Sequence, residues 1–210
     1  MKVTHLWRYP VKSMAGEPLE RAELRRDGIP GDRVVMVRHG VRVVTSRSRP
    51  KLLLHRATLG ADGEPLVDGR PWRSPEVAAD IRAATDLPAE LVRGDTLDRF
   101  DVLPLLVATD GALAAFGRDV RRLRPNLVLG GVEGLAERTW PGRTLAIGVA
   151  RIRLVTRRRR CIMTTFHPET GEQDPEVLLE IHRRFGGELA LDAEVLVPGT
   201  IAVGDRARLE

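Results

Sequence analysis

The amino-acid sequence predicts a strand-rich α+β fold with few short helices. Short apolar runs are separated by turns rich in Gly, Pro and Asp, only three segments combine a helix start with a helix stop, and no regular strand-helix alternation is visible. In the first third, Val3, His5, Trp7 and Tyr9 alternate on one face of a strand that Pro10 ends. Residues 33–38 and 41–45 bracket His39-Gly40 as a hairpin. Residues 52–59 and 65–67 form a second hairpin around Gly60-Ala61-Asp62-Gly63, where Gly and Asp accept positive backbone angles. Ser74-Pro75-Glu76 supplies an N-cap, a first-turn proline and an acid suited to the helix dipole, opening a helix with Val77, Ile81 and Ala84 on one face and Pro88 at its end.

The polar stretch 94–101 divides the chain into an N-terminal region, 1–95, and a second region, 96–210. Beyond it, 103–108 reads as a strand, Thr109-Asp110 caps a helix that runs to Phe116 and stops at Gly117, and 127–129 reads as a buried strand closed by Gly130-Gly131. Strands at 145–147 and 151–156 lead to Arg157-Arg158-Arg159-Arg160 and Cys161. A helix after Asp174-Pro175-Glu176 carries Leu178, Ile181 and Phe185 on one face and ends at Gly186-Gly187. Strands at 193–197 and 200–209, the latter turning at Gly204-Asp205, complete the reading, and no repeat of 20–50 residues interrupts it.

Composition narrows the function. The 210 residues are 42% apolar and 30% charged, which suits a folded core, and Cys161 is the only cysteine, so no disulfide forms within the chain. The N-terminus lacks the apolar centre of a signal peptide, and no run approaches the roughly 20 apolar residues of a membrane helix, so a cytoplasmic protein without a membrane partner is expected. The net charge of +5 would suit a nucleic-acid partner, but only Lys2, Lys12 and Lys51 are lysines, and the arginines are spread among acids from end to end. Aromatic platforms near the arginine run are missing as well, Phe166 being the one aromatic close by, so nucleic-acid binding is not expected. The five histidines show no pair at metal-ligand spacing, and neither a Gly-rich phosphate loop nor a nucleophile elbow is present.

Two places remain chemically suggestive. A lone cysteine is most often a small buried hydrophobe, but Cys161 follows four guanidinium groups, which favour a thiolate, and precedes the hydroxyls of Thr164 and Thr165. Lys12-Ser13 follows a strand-ending Tyr9-Pro10 and presents an ammonium and a hydroxyl on one turn, a pair able to hold phosphate. Arg33, Arg124 and Asn126 stand at strand entrances, where side chains converge on sheet ends.

Tyr9-Pro10-Val11-Lys12-Ser13-Met14-Ala15-Gly16 resembles the opening of the β-barrel domain that precedes a MOSC domain, the type named for the C-terminal part of molybdenum cofactor sulfurases. Leu123-Arg124-Pro125-Asn126 with the following Leu-Val-Leu-Gly-Gly, Arg160-Cys161-Ile162-Met163-Thr164-Thr165 and Pro198-Gly199-Thr200-Ile201 through Asp205 are similar, in order and spacing, to the amidoxime-reducing MOSC proteins. The resemblance covers nearly the whole chain and implies a MOSC-type, β-barrel-like fold. It implies a molybdenum cofactor (molybdopterin), with Cys161 as metal ligand and catalytic residue, Lys12, Ser13 and Arg33 on the pterin's phosphate, and Arg124, Asn126, Arg159 and Arg160 on the pterin or beside the metal. The implied activity is reduction of a small N-hydroxylated or N-oxide substrate with electrons from a separate redox protein. A persulfide carrier for metal-sulfur assembly, using Cys161, is the alternative, and pyridoxal phosphate binding is a further association at family level only. Val102 and Leu103 replace a Thr/Ser pair before Pro104, His167 replaces an aspartate, and the stretch from Leu54 to Asp101 is shorter than in the mitochondrial members.

Overall fold

The computed structural model describes residues 1–94 and 99–210. The expected division at 95/96 lies outside the described residues. Sixteen strands and three α-helices follow in order: β1 (Lys2–Arg8), β2 (Glu17–Leu19), β3 (Arg21–Leu24), β4 (Val35–His39), β5 (Arg42–Val44), β6 (Ala57–Leu59), β7 (Pro65–Val67), β8 (Arg70–Pro71), α1 (Pro75–Thr85), β9 (Glu90–Arg93), β10 (Leu105–Thr109), α2 (Asp110–Phe116), β11 (Leu127–Gly130), β12 (Thr144–Ile147), β13 (Ala150–Arg159), α3 (Glu176–Phe185), β14 (Glu188–Val197), β15 (Gly199–Ala202) and β16 (Ala207–Leu209). Strand-rich α+β, the class expected from sequence, is the class observed. No described helix is long and apolar enough to cross a membrane.

Eight strands form one sheet in the order β16-β12-β13-β14-β10-β11-β1-β2, in which only the β10–β11 pairing is parallel. An isolated Lys2–Arg206 bridge brings the start of the chain beside the approach to β16, yet no continuous ladder among the described residues closes the sheet into a barrel. Alternating side chains divide it in two. Leu105, Val107, Leu127, Leu129, Leu191 and Ala193 join the largest core, to which Val3, Leu6, Ala22 and Leu24 also belong, while Leu106, Ala108, Val128 and Ala190 cluster on the other face. A second core, built from Val11, Met14, Val35, Val37, Leu52, Val77, Ile81 and others between residues 11 and 89, sits under the small sheets β5-β4-β9 and β6-β7-β8.

The local signals act as expected at most boundaries. The Ser74 hydroxyl accepts from Val77 N, the Thr109 hydroxyl accepts from Ala112 N, and Asp86, Gly117 and Gly186 end the three helices in left-handed conformations. Four expectations need correction. A bulge between Val3 and His5 shifts the phase of β1, so Val3 and Leu6 point into the core while His5 is exposed. Residues 50–54 form a 3-10 turn, started by Pro50, so only 57–59 pair as the first arm of the second hairpin. In α3 the buried stripe is Val177, Ile181 and Phe185, placing Leu178 off its centre. The strand expected at 151–156 is longer, since β13 continues through Arg159 against the first half of β14.

At Gly111, the second residue of α2, a Cβ would stand 2.4 Å from the carbonyl oxygens of Val132 and Gly134 and 2.7 Å from Gly134 N. Alanine at an open helix position would gain roughly 1 kcal/mol over glycine. Here it must displace backbone, an overpacking cost of about 1–3 kcal/mol, toward the upper end because no flexible side chain can move aside. Gly111→Ala is therefore expected to lower stability by about 1–2 kcal/mol net. A urea midpoint at or above that of the parent would show that the 132–134 loop yields freely.

Candidate functional site

Three chain segments meet because of short non-local pairings. Val11 and Val35 form an isolated parallel bridge, with Arg33 N donating to Tyr9 O at 2.7 Å and Lys12 N to Val35 O at 2.8 Å, which sets Lys12 and Ser13 beside Arg33. Asn126, entering β11, is tied to Trp7 and Leu106 through its backbone and thereby sits against the end of β1. The end of β13 brings Arg159, Arg160 and Cys161. All eight residues singled out in the sequence line one cavity of about 460 Å³, at the seam between the large sheet and the second core. Lys12, Ser13, Arg33, Arg124, Asn126, Arg159, Arg160 and Cys161 thus share a single surface, though they span 150 positions of sequence.

A buried carboxylate organises the wall. Asp32, 0% exposed, accepts from Tyr9 N at 2.7 Å and from Asn126 Nδ2 at 3.3 Å and is ion-paired to Arg33. The other end of the Asn126 amide accepts from Leu106 N at 3.2 Å and Arg33 at 3.5 Å, so both ends of this side chain are engaged within the protein. The Tyr9 ring lies against the guanidinium carbons of Arg124 at 4.3 Å and Arg33 at 5.0 Å, and its hydroxyl donates to Pro125 O at 3.0 Å. Burial drives the Tyr9 phenol up, so it stays neutral between these two cations. Burial also lowers the Arg124 guanidinium to about 10. Ser13, Arg33 and Arg124 adopt positive φ of 73°, 55° and 57°. Such conformations are unfavourable for residues with a Cβ and persist only where surrounding bonds enforce them.

Nine cationic side chains and three carboxylates line the cavity. Arg157 pairs with Glu188 at 3.0 Å, and Arg158 stands 3.0 Å from the buried Asp192, though without hydrogen-bond alignment. Burial raises the Asp192 carboxyl above its ordinary value despite Arg158 and Arg160 nearby. Lys12 pairs with Asp101 at 2.9 Å and also donates to Arg99 O. Burial opposes charge on Asp101, but Lys12, Arg47 and Arg158 outweigh it and hold the carboxyl below the usual range. Arg122, Arg124, Arg159 and Arg160 have no acidic partner among the described residues. Three of these four donate to backbone carbonyls, of Thr164, Met14 and Leu123 respectively. Burial and the neighbouring Arg158 bring the Arg160 guanidinium down to about 10.

Cys161 is half-buried and precedes a 3-10 turn, Ile162–Thr165. The threonine hydroxyls expected beside the thiol bond backbone instead, Thr164 to Cys161 O at 2.9 Å and Thr165 to Ile162 O at 2.7 Å, and so shape the turn without facing the sulfur. Arg47, Arg122, Asp32 and Asp101 are the residues sequence reading passed over. Arg47 pairs with Asp101 and faces the thiol. It follows β5 in a loop with no motif to mark it. His167 lies outside the cavity, where its Nδ1 accepts from the backbone N–H groups of Glu169 and Thr170, the bonds a short acidic side chain would accept in such a turn.

Residues 1–96 match the MOSC N-terminal beta barrel domain and residues 110–208 the MOSC domain, so that together the two account for most of the chain, which is a MOSC-domain protein. Among curated relatives it is 26% identical to mitochondrial amidoxime-reducing component 1 of Homo sapiens, over 97% of this chain and 81% of that one. It is 27% identical to mitochondrial amidoxime reducing component 2 of Macaca fascicularis, over 82% of this chain and 68% of that one. Among solved structures, the YUAD protein from Bacillus subtilis shares the fold, with a TM-score of 0.55 at 15% identity, covering 99% of this chain and 94% of that one.

Asp32 ties Tyr9, Arg33 and Asn126 together in this wall. Asp32→Asn keeps the shape but turns an amide N–H toward donors and leaves Arg33 unpaired. It is expected to cost about 3 kcal/mol or more in denaturant unfolding. Arg153→Gln, in the exposed pair with Glu194, is expected to cost less than about 1 kcal/mol. Equal losses would remove Asp32 from this role.

Proposed function

We propose that the cavity binds a molybdenum cofactor and that the protein is an oxidoreductase acting on a small N-hydroxylated or N-oxide substrate. The observation that carries this reading is a half-buried thiol opening onto a cavity with a surplus of guanidinium groups. The donor set fits such a group. A soft thiolate suits a metal otherwise held by sulfur, and unpaired guanidiniums suit a phosphorylated, anionic pterin. No group of three or more His, Cys, Asp or Glu side chains is gathered for a metal among the described residues, so Cys161 would be one protein ligand to a metal that arrives with others. The curated relatives, amidoxime-reducing components by name, support the substrate class.

In this reading Lys12 and Arg33, while keeping their pairs with Asp101 and Asp32, meet the phosphate with Ser13 donating a hydroxyl beside them, and the unpaired Arg124, Arg159 and Arg160 contact the pterin or flank the metal. Asn126 acts by fixing Asp32 and Arg33. Cys161 Sγ is the ligand to the metal. When bound, the cofactor supplies a centre that exchanges two electrons. The substrate's N–O bond breaks as two electrons and two protons are taken up, and the oxygen leaves as water. A separate redox protein supplies the electrons. Val102 and Leu103, which line the cavity, give its mouth an apolar side.

Elemental and pterin analysis of protein made in a cofactor-competent host tests the reading directly. About one molybdenum and one releasable pterin per chain are expected. Persulfide on Cys161 without metal would replace it with a sulfur-carrier role.

Cofactor retention and metal ligation reside in different residues. Each charge-assisted bond to the cofactor contributes about 1.5–3 kcal/mol, so losing one ligand should not empty the cavity. Cys161→Ala is expected to keep a substantial share of its pterin while losing reductase activity and changing the metal-to-sulfur absorption, and Lys12→Ala with Arg33→Ala to lose the pterin. Full activity with an unchanged spectrum in Cys161→Ala would make the thiol an ordinary structural cysteine.

The arginine run should divide as its ion pairs do. Arg159→Gln with Arg160→Gln is expected to lower pterin occupancy. Arg157→Gln with Arg158→Gln should leave occupancy closer to the parent and instead lower the melting temperature, because Asp192 loses its partner in a buried position. Equal occupancy losses from the two pairs would mean that the run acts only as diffuse charge.

A further inference from the structure

A second cavity, of about 330 Å³, shares Arg124 with the cysteine cavity but none of its other lining residues. The Trp7 and Tyr9 rings form one side of it, nearly parallel at 15° with centroids 6.5 Å apart, and Pro18, Leu53 and Pro168 enclose them. Gly16 permits this arrangement, since a Cβ there would stand 2.5 Å from the Tyr9 ring. Volume and lining match a small-molecule site, largely apolar and aromatic with a few polar groups.

Those polar groups are all donors. The Trp7 indole nitrogen is buried and has no hydrogen-bond partner. The guanidinium of Arg56, at the exposed edge, has no acidic partner among the described residues, whereas Arg121 is already paired with Asp119 and Glu169. No carboxylate among the described residues lines the cavity. The half-buried Trp7 ring, backed by the buried Tyr9 ring, selects a planar partner, the enclosing prolines and leucine an apolar one, and the unengaged donors an acceptor that carries negative charge.

We infer that this cavity is a binding site for a planar aromatic carboxylate, whose ring lies against Trp7 and whose carboxylate meets Arg56. The site does not depend on Cys161 or on any cofactor, so it stands or falls separately from the proposed reductase.

Titration of the full chain with 2-naphthoate by calorimetry tests it. One saturable site per chain is expected, weakened about fivefold or more by Trp7→Phe, which keeps an apolar ring but removes the N–H, and similarly by Arg56→Gln on the surface. Arg159→Gln, in the cysteine cavity, should leave the affinity within about twofold of the parent, as for a distant independent position. The neutral 2-naphthamide should bind about fivefold more weakly. Melting curves of both variants confirm that they fold. Absence of saturable binding at millimolar probe would overturn the inference. So would equal binding of 2-naphthamide, or a loss confined to Arg159→Gln, which would place the probe in the cysteine cavity.

Discussion

The buried carboxylate of Asp32 holds the end of β1, the loop before β4 and the entrance to β11 in one frame. It fixes Tyr9 through the backbone, Asn126 through its amide and Arg33 through charge. A carboxylate withdrawn from water is unfavourable unless its oxygens are fully engaged, and here they are. The positive φ of Arg33 places its guanidinium between Asp32 and the Tyr9 ring, and that ring in turn supports Arg124. The electropositive cavity is therefore built outward from a single negative charge. Without it, two guanidiniums on one phenol ring would repel with little to hold them there.

The same balance recurs on the other wall. Four consecutive arginines lie on the same cavity wall and would repel one another if none were compensated. Glu188 and Asp192 of β14 each stand against one of them. Charge is thus balanced at Arg157 and Arg158 and left unbalanced at Arg159 and Arg160. This division, more than the overall basicity of the chain, makes the cavity electropositive.

Much of the fold was legible because its signals are local. Ser74, Thr109, Gly117 and Gly186 set helix ends through bonds or backbone angles within a few residues, and the sequence displays them directly. The face of β1 was misread because a bulge at Thr4 depends on the partner strand, which periodicity alone does not contain. The same holds for the site. Lys12, Ser13, Cys161 and the arginines stood out by composition and resemblance, and the structure places them on one cavity. Asp32, Arg47, Arg122 and Asp101 act through partners dozens of positions away, and no spacing rule marks them. The threonines after Cys161 show the converse, since adjacency in sequence sets their hydroxyls directly after the thiol and the turn sends both to carbonyls.

The Cys161 carbonyl receives both the amide and the hydroxyl of Thr164, and the preceding amide, of Arg160, is held by Gly187 O. The backbone on either side of the sulfur is therefore hydrogen-bonded in place, and the thiol keeps one free torsion, about Cα–Cβ, with three staggered positions. Capturing a partner at Sγ would freeze only that torsion, an entropic cost well below the roughly 2 kcal/mol of a long flexible side chain. The thiol is thus offered from a nearly fixed position, so that any selectivity it exerted would rest on distance and direction more than on the adaptability of the protein.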